Sequence, residues 1–232
     1  MKNIITKIVA MFWMFVYGNL RSFLSSKDAS LLEKNFTLHK KYKGKRIFIF
    51  FTGRSIQEVD FSAFKNEYVM GVNFLALDAR FKELNAEFYC YTPKWDASWA
   101  RLCAFGLHEI YEAVNANVKL FLNASSYYWI NNFDFLGIQD NREKFKENIY
   151  FINDTTFMPD GKSQVCCGLK GDQMGVHNRS INIAIDLGFK DIYLIGSDYS
   201  KDPQRVGHFY GSTDFITHER TQMQKEENRG AE

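Results

Sequence analysis

Six short apolar runs recur along the chain, and polar or turn-forming residues close each of them at its carboxyl end. They are "RIFIFFTG" (46–53), "YVMGVNFLAL" (68–77), "AEFYCYTP" (86–93), "NVKLFLNAS" (117–125), "NIYFIND" (148–154) and "DIYLIGSD" (191–198). Continuous apolar runs of this length, rather than alternating ones, mark strands buried on both faces. Between several of them the apolar spacing lengthens to that of a helix, notably in "WARLCAFGLHEIYEAV" and "QMGVHNRSINIAIDLG", the second ending on Gly188 as a C-cap. Strands alternating with helices predict βαβ units. The expected fold class is therefore α/β, a mainly parallel sheet with helices on both faces.

The first 24 residues, "MKNIITKIVAMFWMFVYGNLRSFL", follow a different pattern. Their uncharged apolar stretch runs from Ile8 to about Leu20, between Lys2 and Lys7 on one side and Arg21 on the other. A spanning helix needs roughly 20 mostly apolar residues, so this one is short for crossing. "GNLRSFLSS" makes a poor signal-peptide cleavage site. An amphipathic helix over residues 4–24, lying in a membrane interface, fits best. It would set Phe12, Trp13, Phe15 and Tyr17 in the headgroup zone and its cations against anionic lipid. Packing on the protein's own core or on a partner subunit is the plainer alternative. "SSKDASLLEKNFTLHKKYKGKR" then reads as a connector, with Ser26 or Asp28 capping a short helix that ends near Lys40. The expected organisation is an arm and connector over 1–43, a nucleotide-sugar binding domain over 44–200, and a lid segment with a polar tail over 201–232.

Composition narrows the class. A chain of 232 residues with 46% hydrophobic content supports one sizeable core. A net charge of +2 argues against a bulk nucleic-acid binder. The four cysteines include the neighbours Cys166 and Cys167 and show no CxxC spacing, so reduced thiols in a cytosolic protein are expected and a zinc site is not. The abundant aromatics and the apolar arm make self-association plausible.

In a parallel α/β sheet, ligands bind outside the carboxyl ends of the strands, and the candidate polar residues of this chain gather there. Thr52, Gly53, Arg54 and Ser55 follow the first run. Gly53 suits a tight turn at φ > 0, its neighbours' N–H groups suit phosphate oxygens, and Arg54 adds charge. The sequence lacks both GxGxxG and a Walker pattern, so an ordinary βα turn is the alternative. Asn73 stands among apolar neighbours and needs a hydrogen bond from backbone or ligand. Gly175 opens a helix whose first N–H groups can meet an anion, and His177, Asn178 and Arg179 either line that ligand or occupy the helix surface. Asp198 is a base, a ribose or metal contact, or a cap. His208, in "RVGHFYGSTD", is an imidazole in an exposed-looking loop.

Three blocks, "KGKRIFIFFTGRSIQEVDFSAFKNEYVMGVNFLAL", "IAIDLGFKDIYLIGSDYS" and "VGHFYG", resemble bacterial lipooligosaccharide sialyltransferases. They also resemble the related motility-accessory flagellin glycosyltransferases and 6-hydroxymethylpterin diphosphokinases. The likeness runs in islands from about Gly44 to Tyr210. It implies a Rossmann-like fold, a CMP-sialic acid donor and catalysis without a metal or other cofactor. It sets Gly53 and Ser55 at the nucleotide, Asn73 at the asparagine after the second strand, Tyr199 near the lid tyrosine and His208 on the general-base histidine. The family's Gly-Asn-Gly-Pro-Ser loop is here "FTGRS", the lid between Asp198 and His208 is short, and no closing strand follows His208.

The leading expectation is a sialyltransferase-like glycosyltransferase acting on a surface glycan or lipid-linked acceptor, in lipooligosaccharide biosynthesis. It would lie peripherally on the inner face of the bacterial cytoplasmic membrane. His208 serves as base, Tyr199 and Tyr210 donate to the leaving phosphate, and Thr52, Gly53, Arg54, Ser55, Asn73, Gly175 and Asp198 hold the nucleotide. Two alternatives stand beside it. One is a Mg²⁺-dependent pyrophosphokinase with Asp198 and Asp202 as metal ligands; the other is a nucleotide fold that has lost turnover.

Overall fold

A computed structural model describes residues 32–93, 100–124, 126–132, 143, 145–152, 175–198 and 208–209. All six apolar runs form strands: β1 (Arg46–Phe50), β2 (Tyr68–Val72), β3 (Phe88–Tyr91), β4 (Lys119–Asn123), β5 (Ile149–Ile152) and β6 (Asp191–Ile195). Every pairing is parallel, and the strand order is β5-β4-β3-β2-β1-β6. The chain thus steps outward from β1 to β5 and returns to the other side of β1 as β6. The direction of winding reverses between β1 and β6, and in a doubly wound α/β sheet that is the place for a ligand.

Each strand shares its side chains between two cores, as the pleat requires. On one face lie Phe48, Phe50, Val69, Tyr89, Tyr91, Leu120 and Leu122, covered by helix α1 (Ala100–Ala113) and by 3₁₀ turns that contribute Ile56, Phe61, Leu75 and Phe81. On the other lie Ile47, Ile49, Phe51, Met70, Phe88, Cys90 and Phe121, covered by Ile183 and Ala184 of the later helix Val176–Asp186 and by its C-cap Leu187. A short helix, α2 (Ser126–Asn132), follows β4, and Val176–Asp186 is therefore α3. The fold is an α/β, Rossmann-like parallel sheet with helices on both faces. Cys90 and Cys103 are buried and outside any disulfide, and burial pushes the Cys90 thiol up to about 12.

Several boundaries and roles differ from the sequence reading. The run 68–77 is not one strand: β2 stops at Val72, Asn73 turns into the left-handed region (φ 47°), and a 3₁₀ turn covers Asn73–Leu77. Asparagine tolerates that backbone better than any residue but glycine. The stretch 32–43 is more than a connector. After the 3₁₀ turn Lys34–Thr37 it packs Leu38 and Tyr42 into the α3-side core, and Lys40 and Tyr42 donate their N–H groups to the carbonyls of Asp186 and Leu187. Gly188 caps α3 as expected, at φ 92°. Strand β6 departs most. Among the described residues it is an edge strand, not one buried on both faces, and leaves Tyr193 46% and Leu194 39% exposed. Residues 4–24 lie outside the described residues. Among the described residues no helix is long and apolar enough to cross a membrane.

Candidate functional site

The loops after β1 and β6 are knitted together. Phe51 and Gly53 donate to the carbonyls of Ile195 and Gly196 at 2.7 and 3.0 Å, so alternate N–H groups of this stretch point toward β6. The Thr52 carbonyl therefore faces the opposite way, toward β2, and there it accepts the Phe209 N–H at 2.9 Å. Gly53 and His208 form an isolated antiparallel bridge. His208 Nδ1 stands 2.7 Å from Thr52 Oγ1. An imidazole far along the chain is thus fixed against the first strand's carboxyl end, on its β2 side.

Asn73 belongs to the same rim. The β1–β2 register ends on the pair Phe50 and Gly71, so Thr52 and Asn73, each two residues further on, leave the sheet at the same rim. Tyr89, fully buried on β3, holds this turn: its hydroxyl donates to the Asn73 carbonyl at 2.7 Å and accepts from the Ala76 N–H at 2.9 Å. The amide oxygen Oδ1 of Asn73 is buried and has no hydrogen-bond partner among the described residues. Leaving such a group unmet costs about 1–3 kcal/mol, and a ligand donor would recover it.

The phosphate-cradle expectation for Gly53 and Ser55 needs correcting. Gly53 has φ −67° and ψ 160°, a backbone open to any residue, so a positive-φ turn is not the reason for glycine here. Space is. A Cβ at this position would lie 2.5 Å from the Gly196 carbonyl oxygen and 2.6 Å from Asp198 Oδ2. Nor are the donors open. Asp198, only 8% exposed, accepts the Ser55 N–H at 2.8 Å on Oδ2 and the Ser55 hydroxyl on Oδ1. Its carboxylate fills the N-terminal end of the 3₁₀ turn Arg54–Glu58, where a phosphate was expected. Of the roles open to Asp198, the structure displays the cap. Arg54 is exposed at the start of that turn.

Gly175 is the N-cap of α3, and among the described residues no side chain caps it and none crowds it. The first turn of α3 reaches over the rim. His177 stacks on Phe51 with ring centroids 4.6 Å apart, and its Nε2 meets Ser197 Oγ at 2.8 Å. Arg179, by contrast, is not on the helix surface. It is 8% exposed and donates from Nη1 to Asn123 Oδ1 at 2.8 Å, with the Thr92 carbonyl at 3.4 Å. Sequence alone reads Arg179 as a ligand contact or a surface residue; its inward turn toward Asn123 and Thr92 escaped that reading. The available signal was a polar residue closing each of two neighbouring strands, Thr92 after β3 and Asn123 at the end of β4. Tyr199, Tyr210 and Asp202 lie outside the described residues, as do Cys166 and Cys167. Among the described residues no group of three or more His, Cys, Asp or Glu side chains stands ready for a metal ion.

Burial pushes the His208 imidazole below its ordinary value, and the Thr52 backbone opposes that in part. The neutral ring is therefore the form the fold favours. Linkage fixes the sign: between the folded and unfolded values the unfolded chain binds more protons, so stability rises with pH across that window. Urea midpoints should fall as pH drops through about 6.5, and His208→Gln should flatten that part of the profile. A profile indifferent to the substitution would mean the ring is not buried as described.

Comparison with family models, with curated proteins and with solved structures finds no match to this chain.

Proposed function

We propose that this chain is a glycosyltransferase of sialyltransferase-like type, moving a sugar from a CMP-activated donor to a surface glycan or lipid-linked acceptor. The observation that carries the reading is the approach of His208 to Thr52 and Gly53 at the reversal in winding, with the unpartnered amide oxygen of Asn73 at the same rim of the sheet. In this scheme His208 gives its Nδ1 proton to Thr52 Oγ1 as a hydrogen bond, which leaves Nε2 as the basic nitrogen. The acceptor hydroxyl loses its proton to Nε2 as its oxygen bonds to the anomeric carbon. The bond from that carbon to the phosphate oxygen breaks, and CMP departs with the electron pair. A ring held neutral by burial suits a base at neutral pH. Tyr199 and Tyr210 donate to the departing phosphate, and Asn73 reads the nucleotide. The apolar arm at 4–24 would keep the protein beside a membrane-borne acceptor.

The test is a screen of nucleotide sugars for release of free nucleotide, with and without EDTA. Release of CMP from CMP-sialic acid that survives chelation is the expected result. Consumption of ATP with a hydroxymethyl pterin only in the presence of Mg²⁺ would make it a pyrophosphokinase, and no release from any CMP-sugar would leave a fold without turnover.

A further inference from the structure

We infer that Tyr89 is a positioning residue for nucleotide binding: from within the core, its hydroxyl sets the left-handed turn that carries Asn73 to the rim. The inference rests on the reading of this rim as a nucleotide site, and it adds to that site a fully buried residue that acts without touching the ligand.

Three observations converge. First, the hydroxyl bridges the turn. It donates to the Asn73 carbonyl at 2.7 Å and accepts the Ala76 N–H at 2.9 Å, so one buried oxygen ties together residues three apart. Those are the two groups that a 3₁₀ turn brings face to face. Second, the backbone held in this way is a costly one. Asn73 stands at φ 47°, a region that asparagine enters at a reduced penalty and glycine at none. Such a conformation persists where its surroundings over-determine it. Third, the sheet makes room for the tyrosine. Gly71 lies opposite Tyr89 in the β2–β3 register, and a Cβ there would come within 2.7 Å of Tyr89 Cε2 and 2.9 Å of Phe81 Cε2. The turn is also seated on α1, where a Cβ on Gly106 would meet Phe74 at 2.5 Å. Asn73 itself stays only half-buried, its backbone pinned from below. A site present in only a fraction of molecules loses apparent affinity by that fraction, and the Tyr89 hydroxyl keeps the fraction high.

The experiment measures CMP affinity by calorimetry in the full chain and its variants. Tyr89→Phe keeps the ring and its edge contact with Phe81 and loses the hydroxyl. CMP binding should weaken about tenfold, the scale of the two hydrogen bonds removed. Tyr91→Phe is the structural control. It removes a hydroxyl equally buried on the same face of β3, but one that donates to the Cys103 carbonyl of α1. It should lower thermal stability and leave CMP affinity as it was. Asn73→Gly accepts the left-handed backbone and lacks the amide, so it should bind weakly. Adding Tyr89→Phe to it should weaken binding no further, because the tyrosine acts through that amide. Unchanged affinity in Tyr89→Phe, an equal loss in Tyr91→Phe, or losses in Tyr89→Phe and Asn73→Gly that simply add would each overturn the inference. So would normal binding by Asn73→Gly, which would take the amide out of the site. An unaltered protein that binds no CMP would sink the nucleotide reading, and this inference with it.

Discussion

His208→Ala lowers donor turnover at least about a hundredfold and leaves nucleotide affinity within a few-fold of the original, if the imidazole is the base. General base catalysis contributes typically 10²–10⁴ in rate, so the lower bound is the useful threshold. The substitution is mild for the fold. The Gly53–His208 bridge and the Phe209 N–H bond to the Thr52 carbonyl are main-chain contacts and survive it. Its loss includes the Nδ1 contact with Thr52 Oγ1, a hydrogen bond worth about 1 kcal/mol. Calorimetry with CMP separates binding from chemistry, and the pH profile of kcat should lose its acid limb. Turnover that stays unchanged removes the histidine from the mechanism.

Gly53→Ala carries the largest expected effect on stability. Its backbone angles are ordinary, so the cost is one of contact: the new methyl would sit 2.5 Å from the Gly196 carbonyl oxygen and 2.7 Å from Asp198 Cγ. Neither neighbour is the loose end of a long side chain. The Gly196 carbonyl accepts the Gly53 N–H, and the Asp198 carboxylate is gripped by Ser55. Forcing one extra carbon into such a place costs about 1–3 kcal/mol, or roughly 2–12 °C in Tm for a chain of this size. Asp198→Ala in the same background removes one of the two obstacles. The double variant should therefore lose less than the two single losses added together, a coupling that a mutant cycle measures. A Gly53→Ala protein as stable as the original would show that the loops after β1 and β6 are not as closely joined as described.

These two residues mark how far the sequence could be read. Six strands were legible because each is an apolar run ended by polar residues, and buried parallel strands leave that trace. The ends were less legible. The apolar run at 68–77 hides the left-handed turn at Asn73, because a single amide among apolar neighbours does not disclose which hydroxyl will hold its carbonyl. Thr52, Gly53, Ser55, Asn73, Asp198 and His208 were all identifiable as polar residues closing strands or following them. That Asp198 would seize Ser55, or that Arg179 would turn inward to Asn123, depends on side chains brought together from distant parts of the chain. Local pattern carries no record of such meetings. The same holds for β6: "DIYLI" reads like the other strands, and its place at the sheet's edge follows only from the order of winding.

The grip of Asp198 on Ser55 has a consequence for how any anion could arrive at the turn after β1. The turn after β1 already holds a negative charge supplied by the protein itself, so phosphate capture there would be an exchange and not the filling of a vacancy. The incoming anion must evict a tethered competitor.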